Sequence, residues 1–322
     1  MTIGLVDVHS HFVTDFYIAA ARSAGHDRPD GMPAWPTWSV DDHLNLMEHN
    51  GIEIAMLSVS SPGVHFGDDA AARRLAREVN EFGAGTAAAH PGRLGHFASL
   101  PVPDIDGALA ELAYALDELG SDGITLESNA HGMYLGDARL DPLLEELNRR
   151  RCVVFVHPTA PPNADAVALG RPIPMIEFLF DTARTVTDLI LAGSLLRYPN
   201  INWLFTHGGG VLPLLADRIG LFRTLFARGD QSQNPPALSE QLAELWYDMA
   251  GTPFPAQIPA LTRLVGTDHI LYGSDYCFTP PAGVAGQVTS IDKAAAPKDS
   301  PDWRALTTAN ARRLFPRLAT ED

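Results

Sequence analysis

Eight short runs rich in β-branched and aromatic residues recur along the chain, each followed by a segment of helical periodicity, and this alternation limits the available folds more than any other feature. The runs are GLVDVH, IEIAMLSVS, LGHFASL, DGITLES, CVVFVHP, INWLFTH, LWYDMAG and HILYGSD. Segments such as DIDGALAELAYALDELG carry Leu and Ala at helical spacing and stop at a glycine, here Gly120. Regular βα repetition of this kind predicts a single (β/α)8 TIM barrel. A doubly wound sheet is the alternative, but no Gly-rich phosphate loop is present to support it. At 322 residues the chain has the length of one barrel, and no linker or low-complexity tract divides it. One domain over residues 1–322 is expected. Its irregular part is residues 13–38, rich in Pro and Gly, which predicts a long first βα loop over the mouth of the barrel. Ser39, with Asp42 three residues on, is the expected N-cap of the helix that follows.

Composition excludes several classes of function. The formal net charge is −16, leaving no basic stripe for a nucleic-acid partner. No apolar run approaches the ~20 residues of a membrane span, and no signal peptide is visible. Two cysteines, Cys152 and Cys277, make no disulfide framework, so a cytoplasmic protein is expected. An anionic substrate would need a local positive charge, from a metal ion or a well-placed arginine.

The polar residues that interrupt the apolar runs fall at strand C-termini, where a barrel builds its active site. In VDVHSHF, His9 and His11 are two residues apart, so in a strand both rings point to one face. His157 ends the fifth strand, His207 the sixth in FTHGGG, and Asp275 the eighth in YGSD. Imidazoles with a carboxylate suit Zn²⁺ or another borderline divalent ion. His207 is open between acid/base work and ligation.

This order of HxH, strand-five His, strand-six His and strand-eight Asp resembles the amidohydrolase superfamily. FTHGGG, YGSDY and NARRLF (Asn310 to Phe315) are similar to its aminocarboxymuconate-semialdehyde decarboxylase branch. The resemblance covers essentially the whole chain. It implies a metal-dependent barrel, often a homodimer, that removes CO₂ from small unsaturated or aromatic acids. It further implies that His9, His11, His157 and Asp275 ligate one Zn or Mn ion per subunit, with His207 as the acid/base beside it. Strand four ends GITLESNAH, without the lysine that bridges two metals in binuclear members, so a mononuclear site is expected. The semialdehyde decarboxylases carry an Arg where alignment places His43, which argues against a dicarboxylate substrate. The stretches around WSVDDHLNLMEHNGI and FLFDTARTVTDLI are most similar to 6-methylsalicylate decarboxylases.

The chemistry is intelligible without a family name. An aryl carboxylate loses CO₂ easily only if the ring carbon is protonated first, which an ortho phenol permits. A metal holds the phenolate and carboxylate oxygens, and Asp275 or His207 delivers the proton. Phe12, Trp35, Trp38, Phe178, Phe180 and Phe278 are expected around a flat ring. His43, Asn129, His131, Arg184 and Asp248 are the expected polar contacts to substrate. If the glycines after His207 open a helix, its N–H groups would hold an anion. Two other readings stay open: a hydrolase that opens a lactone, ester or amide with a metal-bound water, and a barrel retained only for binding.

Overall fold

All seven residues of the first strand, β1 (Leu5–His11), are buried, as are almost all residues of the strands after it. A strand covered on both faces is apolar throughout, which explains the continuous rather than alternating runs. The computed structural model describes residues 4–225 and 236–318. After β1 come β2 (Ile52–Ser58), β3 (Leu94–Ser99), β4 (Gly123–Glu127), β5 (Val153–His157), β6 (Asn202–Phe205), β7 (Trp246–Asp248) and β8 (Ile270–Leu271). They pair in parallel in chain order, and bridges from Asp7 to Tyr272 and from Ser10 to Tyr276 bring the last strand back to the first. This is the predicted (β/α)8 barrel, with each strand inside its predicted run except β1, which continues to His11; His207 and Asp275 do not end β6 and β8 but follow in the loops after Phe205 and Leu271. No helix among the described residues is long and apolar enough to cross a membrane.

The strands sort their side chains between two cores. Val6, Val8, Ile54, Met56, Phe97, Phe155 and Leu204 fill the inside of the barrel, where Leu314, Phe315 and Leu318 from the C-terminal segment join them. Leu57, Ala98, Ile124 and Val154 pack outward with helix residues such as Val79, Leu112 and Val186. The NARRLF motif therefore closes the lower end of the barrel. Phe315 lies 5.8 Å from Phe97, and Asn310 Nδ2 donates to the carbonyls of Thr267 and Ile270, each at 2.9 Å.

Two local features position the top of the barrel. Asp7 pairs with Ala55 and Ser10 with Leu57, so three steps on β1 face two on β2. This bulge lets Val8 join the inner core while the next residue, His9, also turns inward, its ring 5.1 Å from Phe155. The carboxylate of Asp7 accepts from the N–H of His9 (3.1 Å) and from that of Ser274 (3.0 Å), tying the bulge to the chain after β8. The second feature is the first βα connection, which has more structure than its composition predicts. It holds a helix, α1 (Asp15–Ser23), and a 3₁₀ turn at Pro29–Gly31. Its exit is as expected: Ser39 Oγ accepts from Asp42 N (3.1 Å) and caps α2 (Val40–Asn50).

Phe155 is fully buried, stacked on Phe97 and packed against His9, so it couples the inner core to the upper layer. Phe155→Ala is expected to cost about 3–5 kcal/mol of stability, measured by chemical denaturation of the folded barrel.

Candidate metal centre

His9, His11, His157 and Asp275 each offer one ligand atom, and these atoms lie within 4.8 Å of one another. His9 Nε2 and His11 Nε2 are 3.0 Å apart, and Asp275 Oδ1 lies 3.4 Å and 3.3 Å from them. The opposite ring nitrogens are already engaged. His9 Nδ1 bonds Asp248 Oδ2 (2.8 Å). His157 Nδ1 faces the Pro158 carbonyl at 2.7 Å, a group that only accepts. His11 Nδ1 bonds Ser58 Oγ (2.9 Å), whose own proton goes to the Ser10 carbonyl (3.1 Å). Each Nδ1 is therefore a donor, and three Nε2 lone pairs converge beside a carboxylate oxygen that forms no well-shaped hydrogen bond among the described residues. Ligand atoms about 2.0–2.1 Å from one ion would stand roughly 2.9–3.4 Å apart, so the donor set fits a divalent metal.

Charge supports the same arrangement. Burial alone would depress His9, but the adjoining Asp248 and Asp275 carboxylates overcome it and raise its pKa to about 10. Burial drives His11 down to about 4, and holds His157 well below the usual range with help from the neighbouring imidazoles. Asp275 resists its own burial: contacts with His11, His207 and His9 hold it well below the carboxylate range, so it is ionised. Two neutral imidazoles, an anion and one imidazole that attracts a proton describe a place that wants one cation.

Above the quartet lies a cavity of ≈ 320 Å³ whose walls include His157, His207, Asp275, Phe178 and Phe278, with Asp30 and Met32 reaching in from the first loop. Phe278 meets His11 edge-on at 5.7 Å and Phe178 meets His157 at 5.8 Å. His207 Nε2 stands 3.6 Å from Asp275 Oδ2, and its Nδ1 is 3.0 Å from Thr206 Oγ1. Its backbone is fixed from both sides, the N–H by Asp248 (2.9 Å) and the carbonyl by Gln257. The glycines after it do not open a helix. Gly208, Gly209 and Gly210 all have positive φ, and a Cβ on Gly210 would lie 2.1 Å from the Leu179 carbonyl oxygen. They allow a tight turn and a close approach, and the next long helix begins only at Leu212.

Most of the expected substrate contacts lie elsewhere. Of that group only Phe178 and Phe278 line this cavity. Phe12 follows His11 and so points the other way, packing with Trp38, Phe82 and His96 on the outer face of β1. Trp35 donates to the His26 carbonyl (3.0 Å) and secures the first loop. Trp38 donates to His43 Nδ1 (3.0 Å), so His43 is a buried partner of the loop, packed on Tyr276. Asn129 braces Asp181 (2.8 Å). His131 pairs with His65 (3.0 Å) beside a different cavity. Arg184 forms an ion pair with Asp181 (3.1 Å), and Phe180 faces solvent. Asp248 is buried beneath the cavity, orienting His9 and His207. Sequence reasoning missed Ser58, Gln257, Asp30 and Met32. No motif or spacing marks any of them.

Residues 6–317 match the amidohydrolase family. The chain is 36% identical to a decarboxylase of Penicillium terrestre, macB, over 98% of its length and 96% of the relative's. It is 35% identical to the 6-methylsalicylic acid decarboxylase acuB of Aspergillus aculeatus, covering 97% of this chain and 96% of the other. Among solved structures it is similar to a dihydroxybenzoic acid decarboxylase from Polaromonas that holds manganese and the inhibitor 2-nitroresorcinol. That likeness has a TM-score of 0.81 and 25% identity, over 98% of this chain and 97% of that one.

Removing the carboxylate that orients His9 tests the centre directly. Asp248→Ala is expected to weaken metal binding by about 10–100-fold, measured by competition with a chromophoric chelator.

Proposed function

The chain belongs to the amidohydrolase family, and from that premise we propose that it is a metal-dependent, non-oxidative decarboxylase of a small aromatic ortho-hydroxy acid of the salicylate type. The observation that carries this reading is the convergence of three imidazole lone pairs and an ionised carboxylate on a cavity walled by two phenylalanines and sized for one ring. The decarboxylases to which it is similar over nearly their whole length support the reaction class. No Arg or Lys lines the cavity among the described residues. That favours a substrate with one carboxylate, such as 6-methylsalicylate, over a dicarboxylate.

His9, His11, His157 and Asp275 would hold one Zn²⁺ or Mn²⁺ ion, which would supply positive charge for the carboxylate and phenolate oxygens of the substrate. The chain's own residues do the rest. Phe178 and Phe278 hold the ring flat and keep water off it. His207, fixed at N–H and carbonyl, presents Nε2 at the cavity wall beside Asp275, and this pair delivers a proton to the ring carbon bearing the carboxylate. The bond to the carboxylate then breaks, its electron pair restores the aromatic ring, and CO₂ leaves. Each turnover consumes one proton and no water. Asp248, Ser58 and the Pro158 carbonyl fix the imidazole tautomers on which ligation depends.

We infer further that residues 1–322 work as one catalytic domain and that the chain is a homodimer. Leu214, Leu221 and Leu225 are 80%, 54% and 64% exposed on the helix Leu212–Leu225, which packs beside the helix Glu177–Leu191 carrying the exposed Phe180 and Leu191. Such leucines favour a second copy as cover. Two free, buried cysteines fit a reducing, cytoplasmic setting.

Metal-loaded protein incubated with a panel of ortho-hydroxybenzoates, 6-methylsalicylate included, is expected to release CO₂ and the matching phenol, followed by mass. His207→Ala should lower kcat by about 10²–10⁴-fold with bound metal unchanged. An enzyme that leaves every such acid intact but opens lactones or esters would overturn the assignment. Light scattering should give twice the chain mass, and Leu214→Asp with Leu221→Asp should give the monomer.

A further inference from the structure

A second and larger cavity, ≈ 750 Å³, lies on the same face of the barrel, over the C-terminal ends of β3, β4 and β5. Its wall contains Thr125 and Glu127, two residues apart on β4 and so on one face of the strand. Thr125 is 3% exposed, and its hydroxyl has no hydrogen-bond partner among the described residues. Glu127 Oε2 is likewise buried without one. A third polar group completes the row. Asp30, at the 3₁₀ turn of the first loop, lines both this cavity and the one above the metal centre. It stands there in a left-handed conformation, φ +49°, which an aspartate adopts more readily than most residues.

Glu127 Oε2 has only His157 Nδ1, 3.8 Å away, and the buried Thr125 hydroxyl left without a partner costs stability, so a chain that keeps it on a cavity wall has a use for it. All three groups accept hydrogen bonds, whereas the cavity above the metal is walled mainly by apolar side chains. Thr125, left without a partner, is a neutral hydroxyl that both donates and accepts, so an uncharged hydroxyl matches it better than an ammonium, which only donates. The complement to such a wall is a neutral hydrogen-bond donor.

Resting on the proposed function, we propose that the larger cavity is a substituent subsite, in which Asp30, Thr125 and Glu127 receive a hydroxyl-bearing arm of the aromatic substrate whose ring sits above the metal centre. Asp30 belongs to both walls and marks where the arm passes from one to the other. A methyl substituent fills space in the first cavity, while a hydroxylated arm also satisfies the unpaired atoms of the second.

The test uses binding, so it does not depend on turnover. Metal-loaded protein is titrated calorimetrically with phenols in matched pairs, methyl against hydroxymethyl, at each ring position. At one position the hydroxymethyl phenol is expected to bind about tenfold more tightly than its methyl counterpart. Thr125→Val and Asp30→Asn should each reduce that ratio towards one. Thr125→Val, which keeps the side-chain volume, should also raise the Tm of the ligand-free protein because it removes an unpaired buried hydroxyl. Equal binding within every pair, a ratio that survives both variants, or tighter binding of the matching aminomethyl phenol would overturn the subsite. The preference in a protein that decarboxylates none of the acids would leave the subsite standing and sink the proposed reaction. Decarboxylation without the preference would do the reverse.

Discussion

The seam between the first and last strands is the constraint on which the rest of the molecule depends. Asp275 and the two histidines of β1 come from opposite ends of the chain, and they meet only because the barrel closes there. The closure is thin in regular sheet: β8 has two residues, and two isolated bridges join its neighbourhood to β1. Asp7 makes up part of the deficit by accepting from both sides of the seam, at His9 and at Ser274. The carboxylate that ties the barrel shut stands just before the first proposed ligand on the same strand.

A second carboxylate does comparable work one strand away. Asp248 uses Oδ2 to hold His9 Nδ1 and Oδ1 to receive the N–H of His207 and of Ala250. One buried side chain thus sets the tautomer of a proposed ligand and the backbone position of the proposed acid/base. Both of its oxygens are hydrogen-bonded, which is how a polar group is tolerated with no exposure at all. The whole upper layer is a small network of this kind, in which each proposed ligand ring has one nitrogen committed to the scaffold and one left free for chemistry.

Much of the fold was legible because apolar runs and helical spacing report burial, and burial is what a barrel imposes on its strands. The metal quartet was legible for a related reason: in a parallel barrel the C-terminal ends of the strands and the loops just after them surround the mouth, so histidines and an aspartate gathered there have few other uses. The substrate wall was not legible. Phe12 and Phe278 both follow a proposed ligand closely, yet one lies outside the barrel and the other above the metal centre, because Phe12 continues the alternation of β1 whereas Phe278 sits in a turn beyond β8, where that alternation no longer applies. Arg184 likewise occupies a plausible place in the chain, but its helix turns it towards Asp181.

Local spacing and residue type were enough to set the eight-fold βα order, the N-cap at Ser39, the convergence of the ligand quartet and the absence of a bridging lysine on strand four. Other features arose only when the barrel closed. Among them are the choice of which carboxylate holds which imidazole and the use of the glycines after His207 for a tight turn. So is the placing of Asp30 and Met32, rather than the tryptophans, at the cavity. These are contacts between segments far apart in the chain, fixed by how loops of irregular backbone settle on a closed barrel, and no periodicity in the sequence encodes them.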